Sequence, residues 1–162
     1  MRVENLKFET FFLIFFFSFF ARADHGLLNY EEKKLIVKLA QTKEEKRNGF
    51  MFKKEIKNFS GILFIYETPE IVSFWMKNTF LDLSIAFIDK NNKIFQIKKG
   101  NRLTSDLITS SRSVSAVLEL PYECSRKINL TVGKVISWKK ININQMSEDV
   151  SDNANIFSCF SS

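Results

Sequence analysis

Hydrophobic and polar positions alternate most clearly through Val72-Ser73-Phe74-Trp75-Met76-Lys77. Strand side chains point to opposite faces in turn. Val72, Phe74 and Met76 are therefore expected to face a core, and Ser73, Trp75 and Lys77 the other side. The runs 61–66 before this stretch and 85–89 after it read as further strands of one small sheet. Thr68-Pro69-Glu70 lies between the first two, and a proline presets turn geometry. Segments 62–66 and 71–77 are therefore expected to pair as a hairpin.

The same pattern extends along the chain. Residues 34–39 alternate as a first strand. Thr42 and Glu45 have the spacing of a capping box, which predicts a short helix to about Asn48, with Gly49 in the left-handed position after it. Residues 84–88 and 93–98 form a second predicted hairpin around Asp89-Lys90-Asn91-Asn92, where Asp89 is expected to accept turn hydrogen bonds. Residues 103–112 read as a polar loop that crosses over a ligand site or over the fold. In the strand 113–120, Val114, Ala116, Leu118 and Leu120 share one face, and Val117 and Glu119 the other. Pro121 can open a helix over 122–128, Val132-Gly133-Lys134 is a turn, and 135–141 closes the sheet with Trp138. The fold class expected is mainly β (α+β): a single small barrel-like domain of about seven strands with two short helices.

The two ends read differently. Residues 11–20 are apolar except for Ser18, Arg2 and Lys7 precede them, and Ala21-Arg22-Ala23 has the small-x-small form of a cleavage site. This predicts a secretory signal peptide over 1–23 and an exported protein, periplasmic or extracellular. A run of ten residues, nine of them apolar, is short for a bilayer, whose core is about 30 Å thick. A lead-in is expected at 24–33, the β-rich domain at 34–141, and a polar, disordered tail at 142–162, in which Ile156-Phe157 is the one apolar pair that can dock.

Composition narrows the function classes. The leader carries Arg2, Lys7 and Arg22 against Glu4 and Glu9, which leaves +5 of the chain's +6 for the rest. The lysines are dispersed, so no nucleic-acid arm is expected, and the membrane is expected to be met only through the signal peptide. A mildly basic exported surface would favour anionic lipid or envelope polymer as a secondary possibility. The single histidine, His25, stands just past the predicted cleavage site, where it is expected to be unstructured. That argues against a histidine triad or an ordinary zinc site, so neither metal nor cofactor is expected. Cys124 and Cys159 have no metal or redox spacing, and an exported chain permits either a disulfide or two thiols.

Candidate chemistry centres on Trp75, Lys77, Asn78, Thr79 and Arg102, an indole with convergent donors suited to a small ligand or glycan. The alternative is structural: Trp75 covers the second face and Lys77 lays its stem along it. Glu119 sits in an apolar strand, where a carboxylate needs a cation or amide donors. A hydrolase would use Glu119 with Asp82 or Asp89. Three functions therefore stay open: a non-enzymatic binding or accessory module for a small ligand, glycan or envelope protein, a small envelope hydrolase, and an assembly protein pairing through a strand edge.

The stretch Phe74-Trp75-Met76-Lys77-Asn78-Thr79 also resembles the signature of domain-of-unknown-function family 192. Supporting counterparts are Gly49-Phe50-Met51, Gly61-Ile62-Leu63-Phe64, Leu83-Ser84-Ile85-Ala86-Phe87, Val117-Leu118-Glu119 and Val132-Gly133-Lys134. The resemblance spans roughly 34–141. It implies a small β-rich domain, often exported in bacteria, with no established activity, and a role for Phe50 and Met51 in plugging the barrel end. The chain departs from the family pattern at Asp82, where proline is usual, and at Ser84 and Lys134, where aspartate is usual. Asp82 would replace the missing aspartate at Ser84 only through a register slip of two residues.

Overall fold

The computed structural model describes residues 24–142 together with Ile156, Phe157 and Cys159; the expected signal peptide and most of the expected tail lie outside the described residues. In chain order the elements are β1 (His25–Tyr30), β2 (Lys33–Ala40), α1 (Lys43–Asn48), β3 (Gly61–Glu70), β4 (Ser73–Phe74), β5 (Leu83–Ile88), β6 (Ile94–Gly100), β7 (Ile108–Thr109), β8 (Val114–Pro121), α2 (Tyr122–Lys127) and β9 (Ile136–Ile141). A seven-stranded sheet has the order β6-β5-β8-β3-β2-β1-β9, and β4 and β7 form a separate two-stranded pair. Within the large sheet only β2 and β3 run parallel. The mainly-β class expected from the pattern is the one observed.

The sheet curls without closing into a barrel. Among the described residues its two edges are stitched by one antiparallel bridge, Lys93 to Val135. Around it the amides of Ile94 and Ile136 donate to the carbonyls of Lys134 and Asn92, each at 2.9 Å. A barrel would need a continuous ladder there.

Two expectations about connectivity are corrected. The segment read as a lead-in, with an unstructured His25, is β1, lying between β2 and β9. Its alternation, with Leu28 and Tyr30 fully buried, was hidden by the short turn at Glu31-Glu32 that joins it to β2. The hairpin of 62–66 with 71–77 does not form. Gly61 to Phe64 are all buried, the mark of an interior strand, and β3 has both edges occupied, by β2 and β8. Ser73 and Phe74 pair instead with Thr109 and Ile108, which the sequence placed in a polar loop. The burial alternation through 72–77 nevertheless holds: Val72 and Met76 are buried, Phe74 half-buried, and Ser73, Trp75 and Lys77 exposed.

The hairpin β5–β6 forms as expected, with Asn92 at φ 59 and Asp89 accepting from the amides of Asn91 and Lys93. Apolar clusters cover both faces of the sheet. On one face Tyr30, Leu35, Leu63 and Leu118 pack towards α2. On the other, Phe50, Ile62, Phe64, Met76, Ile85 and Val117 pack together, with Phe50 only 2% exposed. A disulfide joins Cys124 of α2 to Cys159. Beside it Ile156 bridges to Lys34 in parallel, and the Phe157 amide donates to the Lys34 carbonyl at 2.8 Å. Ile156-Phe157 therefore docks on the part of β2 that extends beyond its pairing with β3.

Candidate functional site

Glu119 lies on β8, an interior strand between β5 and β3. It stands opposite Ile62 of β3 and Ile85 of β5, so all three side chains rise on the face that holds Phe64 and Val117. It is 4% exposed. Its carboxyl makes no hydrogen bond or ion pair among the described residues, and burial pushes it up to about 8. Glu119 is therefore mainly a neutral acid at pH 7.

A cavity of about 460 Å³ opens above it, lined by residues from α1, β3, the Trp75 stretch and Glu119 itself. The helix is positioned by its caps. Thr42 Oγ1 accepts from the Glu45 amide at 3.2 Å, and Glu45 Oε2 accepts from the Thr42 amide at 3.0 Å. The Gly49 amide closes the other end on the Glu45 carbonyl at 3.0 Å. This capped turn places Lys43, Lys46 and Arg47 on the rim. Lys46 Nζ stands 4.2 Å from the centre of the Tyr66 ring. Burial first, then the nearby Glu70 and Glu119, holds the Tyr66 phenol protonated far above its usual range. The site thus has a neutral carboxylic acid at its floor, aromatic walls and a cationic rim. Such a floor both donates and accepts hydrogen bonds.

The residues expected from sequence divide. Trp75, 45% exposed, and Thr79, 2% exposed, line the cavity with Glu119. Lys77, Asn78, Arg102 and Asp82 are not on its lining. Lys77 Nζ stands 5.9 Å from the Trp75 ring. Asn78 adopts φ 58 in a turn, and its carbonyl accepts from the Phe52 amide. Asp82 accepts from the Arg102 amide at 2.9 Å and faces Lys99 Nζ at 3.8 Å. Asp89 is engaged by its turn and by Arg112 at 3.1 Å. Neither aspartate lines the cavity with Glu119, and Glu70 is the other carboxylate there. Sequence reasoning missed Lys43, Lys46, Arg47 and Tyr66 as site residues. The capping box located the helix, but no local signal shows that it lies over β8.

The family model of DUF192, an uncharacterized ACR, matches residues 27–138. The chain belongs to this family. Two solved structures share the fold. One is a candidate transcription regulator from Sinorhizobium meliloti 1021, with 25% identity, a TM-score of 0.64, and coverage of 71% of this chain and 92% of that one. The other is a protein of unknown function from Novosphingobium aromaticivorans DSM 12444, with 22% identity, a TM-score of 0.62, and coverage of 70% and 84%. No curated protein matches the chain. The DUF192 match begins inside β1, so the family domain includes the strand that the alternation pattern left out.

Proposed function

We propose that this DUF192 domain is an exported, non-enzymatic binding module that takes a small polar ligand or glycan fragment into the cavity over Glu119. The observation that carries this reading is Glu119 itself. Among the described residues no fully buried polar side-chain atom lacks a partner, so the Glu119 carboxyl, which has no partner within the protein, reaches the cavity and takes its partner from there. Perturbed carboxyls in clefts are candidates for functional sites on the same physical grounds. Trp75 covers one wall as a stacking surface, and Lys43, Lys46 and Arg47 favour a ligand with an anionic group at its outer end. Export rests on the apolar run and cleavage pattern of residues 1–23.

The test uses Trp138→Phe, so that Trp75 reports alone by fluorescence, with titration by envelope glycan fragments and small polar compounds. Binding should shift Trp75 emission and protect it from acrylamide. Trp75→Ala should abolish binding and leave the fold intact, because the indole is already half in solvent. Unfolding by that substitution would make Trp75 a packing residue and defeat the reading. Turnover of a bound glycan, lost in Glu119→Gln, would replace it with the hydrolase reading, in which Glu119 is the proton donor.

A further inference from the structure

The signature turn has a second neighbourhood, outside the cavity. The Phe52 amide donates to the Asn78 carbonyl at 2.8 Å, and the Leu103 amide donates to the Thr79 carbonyl at 3.0 Å. Three separate loops are thereby joined at Asn78-Thr79, and Phe80 follows directly in the chain. The apolar side chains brought there point into solvent: Phe52 is 68% exposed, Leu103 57% and Phe80 38%.

Backbone geometry makes these positions unusual. Among the described residues seven non-glycines have positive φ: Glu31, Phe52, Asn58, Asn78, Asn92, Leu103 and Asn129. Four of them are asparagine, the residue that tolerates this region best. Phe52 at φ 62 and Leu103 at φ 63 are the two bulky apolar side chains in the set. A left-handed backbone disfavours such residues, and exposure gives them no burial in return. The fold therefore holds two large apolar groups outward at a conformational cost, on loops pinned to the same turn. Strain of this kind concentrates at functional surfaces.

Charge identifies the occupant. Exposed cations lie close in sequence to each tip: Lys54 two residues after Phe52, Lys77 three residues before Phe80 and Arg102 next to Leu103. Of the acids close in sequence, Glu55 is engaged with Lys57 and Asp82 with Lys99 and the Arg102 amide, which leaves exposed Asp106 against the three cations. Apolar tips set among lysine and arginine fit the boundary of an anionic bilayer, where the tips enter the acyl layer and the cations meet headgroup phosphates. We propose that Phe52, Phe80 and Leu103, with Lys54, Lys77 and Arg102, form a docking surface for an anionic lipid membrane. The Trp75 stretch then has two jobs: Trp75 and Thr79 line the cavity, while Asn78 and Thr79 hold the membrane-facing loops.

The experiment is co-sedimentation of the disulfide-bonded chain with phosphatidylcholine vesicles, with and without phosphatidylglycerol, alongside urea unfolding of each variant. Wild type should bind the acidic vesicles and lose binding as salt rises. Phe52→Asn with Leu103→Asn should reduce binding by ~10-fold or more, since two apolar side chains leave the interface. The same pair should keep or raise the urea midpoint, because asparagine accepts the left-handed backbone. Lys77→Ala with Arg102→Ala should weaken binding to acidic vesicles, and Glu119→Gln should leave it unchanged. Absence of wild-type binding to acidic vesicles, or undiminished binding by the asparagine pair, overturns the proposal. So does a lowered urea midpoint in that pair, which would make Phe52 and Leu103 packing residues, and so does wild-type recovery only with a protein partner.

Discussion

Gly49 stands against Glu119. A methyl group built on Gly49 would lie 3.5 Å from Glu119 Oε2 and 3.3 Å from the tip of the Phe64 ring. The residue ends α1 at φ 42 and ψ −126, a conformation that side chains rarely adopt. The end of the helix and the buried acid are therefore coupled: the chain turns sharply over the carboxyl because nothing projects from the turn.

Gly49→Ala should lower stability by ~1–2 kcal/mol, from the strained backbone and the contact with Phe64. It should also crowd the space above Glu119 and weaken ligand binding beyond the stability loss. Urea unfolding combined with Trp75 fluorescence titration separates the two effects. Unchanged stability would show that the turn has relaxed to another backbone conformation.

The protonation of Glu119 gives stability a definite pH dependence. Its carboxyl titrates near 8 in the folded chain, against an ordinary value of 4.5. Between these values the native state keeps a proton that the unfolded chain has released. Stability should thus fall as pH rises through this window, with a slope approaching ~1.4 kcal/mol per unit, and level off above it. Glu119→Gln should remove that slope and be more stable than wild type at the alkaline end. Urea midpoints measured at pH values from about 5 to about 9 test this. A parallel pH profile in the two proteins would mean that Glu119 is already ionised in the folded state.

The disulfide anchors the described part of the tail. Its cysteines are 35 residues apart, and Lys127 Nζ donates to the Cys159 carbonyl at 3.1 Å beside it. Cys124→Ser with Cys159→Ser should cost ~2–4 kcal/mol, chiefly through a less constrained unfolded chain. The Phe157 amide, bonded to Lys34, should also lose protection from hydrogen exchange. Retained protection at Phe157 would show that strand pairing alone holds the segment.

Elements with strong local rules were legible in the sequence. The Thr42–Glu45 capping box, the Asp89 turn with Asn92 at positive φ, and the start of α2 at Pro121 depend on residues within a few positions of one another. The pairing of β3 was not legible. Its apolar run suits any buried strand, and the choice of β2 and β8 over the nearby 71–77 segment is a matter of long-range packing. The site divided in the same way. Glu119 and Trp75 stood out because each breaks its local pattern, an acid in an apolar strand and an indole on a polar face. Lys43, Lys46 and Arg47 look like any solvated helix face until the helix is set beside Tyr66 and Glu119.

The mainly-β class, the turn and cap chemistry, and the inward and outward faces through 72–77 were already set by the local pattern of the chain. These properties follow from side-chain alternation and local hydrogen bonding, which act over a few residues. Tertiary structure alone decided the strand order, the open rather than closed sheet, the pairing of Cys124 with Cys159, and the gathering of Trp75, Thr79 and Glu119 around one cavity while Lys77, Asn78 and Arg102 stand outside it. Those outcomes depend on which buried surfaces meet across long stretches of chain, and burial is a property of the whole packed molecule rather than of any segment.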